Sequence, residues 1–209
     1  MALPTAAAVR SLTLRAITGT AEDTRIGILI ATADEVAARW CLYPQAVDGV
    51  PPTLEETSYT VTVSRPDRSD PAVLRTLLRP ITGITTITTD TGGDWTYATT
   101  IPSTDYASLI GGAIRLKPSS TYAWETGPRA NRIVLTAGYD VGATPSLTLA
   151  IAMLVAHWWP LGVVPLGVQS QVVGGESTTR EADAGLPPKV RQLLAPHRLT
   201  ERETHMEVG

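Results

Sequence analysis

Ala143-Thr144-Pro145-Ser146-Leu147-Thr148-Leu149-Ala150-Ile151-Ala152-Met153-Leu154-Val155-Ala156-His157-Trp158-Trp159-Pro160 is the stretch that decides the fold. Thr144 suits an N-cap, and Pro145 suits a first turn, where its missing N–H is no loss. From there Leu149, Met153 and Ala156 lead to Trp159, and Pro160 ends the run. The predicted helix is apolar nearly all round, so it belongs at the centre of a bundle or at a contact between copies. Its longest apolar stretch, Leu147 to Trp159, falls short of the ~20 residues a bilayer needs, so no membrane role is expected. Trp158 and Trp159 adjoin each other, and neighbouring helix residues point to different sides. One of them therefore meets a second surface, and Trp is enriched where proteins meet. Met153, Trp158 and Trp159 are the expected subunit interface.

Upstream, Ile26, Leu29, Ile30, Ala33, Val36, Ala37 and Trp40 recur at steps of three and four, which predicts an amphipathic helix. Glu22, Asp23 and Thr24 supply its start and favour its dipole, and Tyr43-Pro44 closes it. A shorter helix is expected around Thr5 to Leu14. Between the two long helices the texture changes to Thr-rich, β-branched segments punctuated by Gly and Pro. Tyr59 to Val63 alternates cleanly. Ile84 to Thr88 and Trp95 to Thr99 flank Asp90-Thr91-Gly92-Gly93-Asp94 as a hairpin. Ala113 to Leu116 and Arg132 to Leu135 add two more strands. Five or six strands with no helix between them predict a small antiparallel sheet or open barrel.

After the apolar helix, residues 161–185 show no steady period and read as a mobile loop. A short helix starts near Pro187-Pro188, carries Val190, Leu193 and Leu194, and ends before Pro196; the tail 200–209 reads as unanchored. The expected class is thus α+β, a small helical bundle with an inserted antiparallel β domain and an extended C-terminal segment. The divisions are 1–50 for the N-terminal helices, 51–142 for the β insertion, 143–185 for the central helix and loop, and 186–209 for a docking helix and tail.

Composition narrows the chemistry. Formal charge is −3, and no Lys/Arg run is long enough to track a phosphate backbone, so electrostatic grip on nucleic acid is not expected. Charged residues are 18% of the chain, which suits a surface largely covered by partners. One cysteine, Cys41, excludes an internal disulfide and reads as a small buried hydrophobe. His157, His197 and His205 have neither H-x-x-x-H nor H-E-x-x-H spacing, and His157 on the apolar helix reads as a core or interface residue. Asp67, Asp70, Asp90, Asp94 and Asp105 sit where turns need them. Gly92-Gly93, Gly111-Gly112 and Gly174-Gly175 lack phosphate-loop spacing, and no G-x-S-x-G elbow occurs. No catalytic, metal or cofactor residue is expected, and no enzyme. The N-terminus lacks the basic and apolar regions of a signal peptide, so synthesis in a reducing cytoplasm is expected.

Four stretches together resemble the head-to-tail connector, or adaptor, family of long-tailed bacteriophages and gene transfer agents. They are Asp23 to Trp40 followed by Leu78-Arg79-Pro80-Ile81-Thr82-Gly83-Ile84; Asp105-Tyr106 followed by Gly112 to Leu116; Ile133 to Tyr139 leading to Pro145 and the apolar helix; and Leu186 to Arg198, similar to the family's closing signature. The sequence departs from the family at His197, where Tyr is usual, and at Trp158-Trp159-Pro160, where a polar helix end is usual. The resemblance implies a structural virion protein in the neck at the portal vertex, a homo-oligomeric ring, usually a homododecamer. It implies partners in the portal protein and a stopper or tail-completion protein, with DNA met only in transit through the lumen. Leu186, Val190, Leu193, Leu194, His197 and Arg198 are the portal-binding residues expected on that reading, because a short helix with an unanchored tail can order on binding. A mildly acidic subunit suits a conduit that must not retard DNA. The rival readings are a neck or tail-completion ring of the same particle, and a β-domain binding module stacking glycan on Trp95, Tyr97, Tyr106, Tyr122 and Trp124.

Overall fold

The computed structural model describes residues 3–14, 20–46, 49–64, 66, 70–76, 78–109, 111–159, 170–173, 176–179 and 186–199. The chain divides into two compact units: Ala2–Asp34 with Val141–Pro196, rich in helix, and Glu35–Asp140 with His197–Gly209, built on sheet. The expected β segment, 51–142, falls almost wholly in the second, which also takes the last turns of a helix begun in the first.

In the helix-rich unit, α1 (Ala6–Leu12) starts at Thr5, whose side chain accepts from the Ala8 N–H at 3.2 Å. The second helix, α2 (Asp23–Trp40), begins with the acidic Asp23 at its positive dipole end. Arg10 pairs with Asp23, tying the two helices together. The third, α3 (Pro145–Trp158), starts after Thr144, whose side chain makes no capping bond. Thr148 instead donates its hydroxyl to the Val141 carbonyl at 2.7 Å, closing that end. Leu147, Ala150, Ile151, Ala152, Leu154 and Val155 are buried on α3. Against α3 pack α1 and α4 (Pro188–Leu194), which continues through Ala195–His197 as a 3-10 turn. The expected end before Pro196 is thus the end of the α-helix alone.

Within 161–185 the described residues form a two-stranded antiparallel ribbon, Ser170–Val173 with Glu176–Thr179. The β-branched pairs Val172-Val173 and Thr178-Thr179 favour extended backbone. The expected mobile loop otherwise lies outside the described residues, as does the tail 200–209.

Two separate antiparallel sheets make up the second unit, where a single sheet or open barrel was expected. The first has the order β1-β7-β3-β4, from β1 (Thr57–Val63), β7 (Asn131–Ala137), β3 (Ile81–Thr89) and β4 (Thr99–Thr100). The second has the order β2-β6-β5, from β2 (Val73–Arg75), β6 (Ala113–Leu116) and β5 (Tyr106–Leu109). Alternation explains the core: Tyr59 and Val61 of β1 and Ile133 and Leu135 of β7 face inward and are buried, while Thr60 and Val134 between them stay partly exposed.

The expected strand Trp95 to Thr99 is corrected: only Thr99–Thr100 pairs, with Thr88 and Thr89. The buried carboxylate of Asp90 accepts from the N–H groups of Gly93, Asp94 and Trp95 at 2.9, 3.3 and 2.8 Å. That cradle bends the chain into a loop with Trp95 and Tyr97 in the left-handed region, a conformation no ladder strand can take. Two glycines are required elsewhere. Gly112, at φ +76°, lies so close to Leu78 that a Cβ would strike its carbonyl, and Gly138, at φ +124°, is pressed in the same way against Glu55.

Candidate functional site

The C-terminal segment is built in two parts. In the helix-rich unit, Pro187 and Pro188 start α4. Val190 and Leu194, one turn apart, are buried, as is Leu186. Arg191 donates from Nε to the Leu186 carbonyl at 2.6 Å, fixing the entry to the helix. Three of the six expected docking residues therefore have their side chains inside the subunit. Leu193 is half-buried, beside the exposed Lys189, Arg191 and Gln192.

His197 to Leu199 continue in the sheet-built unit. The Leu199 N–H donates to the Cys41 carbonyl at 2.9 Å, and its side chain is buried. Arg79 donates to the Arg198 carbonyl at 3.0 Å, and the Arg198 guanidinium lies 5.1 Å from the centre of the Trp40 ring, a cation–π distance. His197 meets Tyr139 edge to face, with centroids 4.7 Å apart. Beneath them Tyr43 donates its hydroxyl to the Arg79 carbonyl. Burial raises the Tyr43 phenol far above its usual value and raises that of Tyr139; burial also pushes His197 down from 6.5. These groups are held neutral in a packed cluster, so the arrangement fastens a chain end.

Trp40, Tyr43, Arg79 and Tyr139 were not singled out as partners of the C-terminal segment. Their signal was present nonetheless. Trp40 and Arg79 come from the first of the four stretches that carry the family resemblance, Tyr139 from the third, and the pair His197-Arg198 from the fourth. Sequence order could not say that those segments meet.

At the other candidate interface, Met153, Trp158 and Trp159 are each half-buried. Arg25 lies 4.3 Å over the Trp159 ring and donates to its carbonyl at 3.2 Å, so Trp159 already has a partner within the unit. Trp158 faces a different side of the helix. His157 is exposed, so of the core or interface place expected of it the core is not the one it takes.

The aromatic residues considered for stacking do not form one face. Tyr106 and Trp124 are buried, and Trp124 donates from Nε1 to the Ala72 carbonyl at 2.8 Å. Tyr97 donates to the Arg129 carbonyl at 2.9 Å, Tyr122 is half-buried, and Trp95 is 62% exposed. Among the described residues no three His, Cys, Asp or Glu side chains come together as a metal site, and no helix is long and apolar enough to cross a membrane.

The fold is shared with chains of gene transfer agent particles. The chain matches a chain in a structure of the neck of an empty gene transfer agent particle computed with C6 symmetry, at a TM-score of 0.54 and 13% identity, covering 95% of this chain and 90% of that one. A chain of the virion of a native gene transfer agent particle matches at 0.51 and 16% identity, again covering 95% and 90%. At these identities the likeness is one of fold. A comparison with curated proteins found no match. The sequence model of the head completion protein family matches residues 6–200, so the chain belongs to that family.

Proposed function

We propose that the chain is a ring-forming adaptor that sits between the portal and the stopper or tail of a phage-like particle and extends the DNA channel. Membership of the head completion family over residues 6–200 carries this reading. The structural neighbour's neck was computed with C6 symmetry, and a homododecamer of this chain is compatible with such an axis. Net charge of −3 gives the ring no general attraction for passing DNA.

Portal contact falls to Leu193, His197 and Arg198 of the C-terminal segment, together with the tail. Leu186, Val190 and Leu194 anchor the segment, leaving the exposed groups for the partner. The test is a pull-down on purified portal rings. Leu193→Asp with Arg198→Glu is expected to abolish retention while the protein still melts cooperatively. Full retention by that variant overturns the docking assignment. Cryo-electron microscopy of the parent particle places the ring directly: density for the chain away from the portal overturns the adaptor reading.

A further inference from the structure

Among the described residues the sheet-built unit has four edge strands, and they are not alike. β4 is two residues long and is soon followed by Pro102. β2 is three residues long, carries the exposed Arg75 and follows Pro71. Short length, charge and proline are the devices that keep edges from pairing. β1 (Thr57-Ser58-Tyr59-Thr60-Val61-Thr62-Val63) has none of them, and β5 (Tyr106-Ala107-Ser108-Leu109), though four residues long, carries neither charge nor proline.

The hydrogen-bond register shows which groups are open. The Asp90 N–H donates to the Ala130 carbonyl across β3 and β7. Alternation then turns Arg132, Val134 and Thr136 of β7 toward β3, and Asn131, Ile133, Leu135 and Ala137 toward β1. Their partners Thr57, Tyr59, Val61 and Val63 use their backbone groups inside the sheet. Ser58, Thr60 and Thr62 therefore aim three N–H and three C=O groups away from it, with no partner among the described residues. The open stretch is bounded: Ser64 accepts from the Gly127 N–H, and the Glu56 N–H donates to Tyr139.

In the second sheet the Leu116 N–H donates to Ala72 and the Lys117 N–H to Asp105. Leu116 and Ile114 thus face β2, Arg115 and Ala113 face β5, and Tyr106 and Ser108 point their backbone groups outward. Ala107, Ser108 and Leu109 are exposed.

We infer that the β1 edge of one copy pairs with the β5 edge of the next. The inference deepens the ring reading above and rests on it. A second copy is the occupant because one subunit carries two unprotected, uncharged edges on two different sheets. Joining β1 to β5 pairs the four open groups of Tyr106 and Ser108 with four of the six on β1, and repetition of such a head-to-tail contact closes a ring. Joining β1 to β1 would stop at a dimer and leave β5 open.

The test uses the full chain with buried Cys41 left in place. Thr60→Cys combined with Ser108→Cys is expected, on mild oxidation, to give a ladder of disulfide-linked oligomers on a non-reducing gel, and each single variant only monomer. Dimer from Thr60→Cys alone overturns the proposal in favour of β1 self-pairing. Thr60→Pro supplies the second arm. The Thr60 N–H serves no bond inside the subunit, so this variant is expected to keep its melting temperature while losing its oligomers by sedimentation. Val61→Pro, which deletes a bond to β7, is expected to unfold. Thr60→Pro melting as low as Val61→Pro shows that the edge is already used within the subunit and overturns the proposal. So does a chain that stays monomeric at every attainable concentration. Portal retention separates the two ideas: oligomers that cross-link but do not bind portal rings sink the adaptor reading alone, and rings that bind portal without cross-linking sink this inference alone.

Discussion

His197 meets Tyr139 edge to face, and its imidazole adds a titration to an otherwise aromatic contact. Burial disfavours the imidazolium and lowers the folded-state value below the ordinary 6.5. Above 6.5 both folded and unfolded chains hold the ring neutral, and the group has no effect on stability. As pH falls through 6.5 toward the lower folded value, the unfolded chain takes up the proton first, so stability falls. The melting temperature is therefore expected to drop between pH 7.5 and pH 5, and the drop to shrink in His197→Tyr. An unchanged slope in that variant would place the sensitivity elsewhere. The sequence showed that His197 was unusual but not what it touches, because Tyr139 lies 58 positions away and nothing local encodes that meeting. Asp90 teaches the same lesson: its type announced a turn, while the three N–H groups its carboxylate gathers became visible only with the backbone in place.

Helices were more legible than strands, for a physical reason. The 3.6-residue period of Ile26, Ile30, Ala33 and Ala37 is long and self-consistent, and all four are buried on α2, with Asp34 and Ala38 beside them. The edge of a sheet has no such pattern. Trp95 to Thr99 has the composition of a strand, yet the Asp90 cradle turns it into a loop; composition reports what fits a pleated surface and not which backbone bonds compete for it. The apolar character of α3 was read as a central position, and its buried Leu147, Ile151 and Leu154 agree with that. What the period could not show is that α4 covers part of α3, burying Val190 and Leu194 inside the subunit. Leu194→Ala removes a fully buried side chain and is expected to cost about 2–5 kcal/mol, the range for such truncations. Leu193→Ala, on the half-buried side of the same helix, is expected to cost clearly less. Denaturant midpoints of the two variants check the order, and equal losses would show that α4 packs by a different face.

At the scale of the whole molecule, the alternation of helix, strands and helix was legible as α+β because each change of period is sharp. The joint between the parts was not, since α2 runs without a break from Asp23 to Trp40 while the two compact units divide at Asp34 and Glu35. No change of composition marks that point. The chain also crosses between units at Pro196 and His197, inside a 3-10 turn. This bears on whether residues 51–142 are an insertion that the helices can do without. Val9, Ile26, Ile30, Leu147, Ile151, Leu154, Val190 and Leu194 are buried apolar residues of the helix-rich unit, and burial of that kind stabilises helices more than propensity does. Excising 51–142 and joining the flanks through a short Gly/Ser linker leaves all of them in the chain. It strands Cys41, Tyr43 and Leu199, which are buried in the sheet-built unit. The shortened protein is therefore expected to keep a helical circular dichroism spectrum and to melt at a lower temperature than the full chain. A second variant, with Leu199→Ser and Tyr43→Ser added to relieve the stranded apolar surface, is expected to stay soluble at higher concentration. A coil spectrum from both would show that the strands are integral to the helical core.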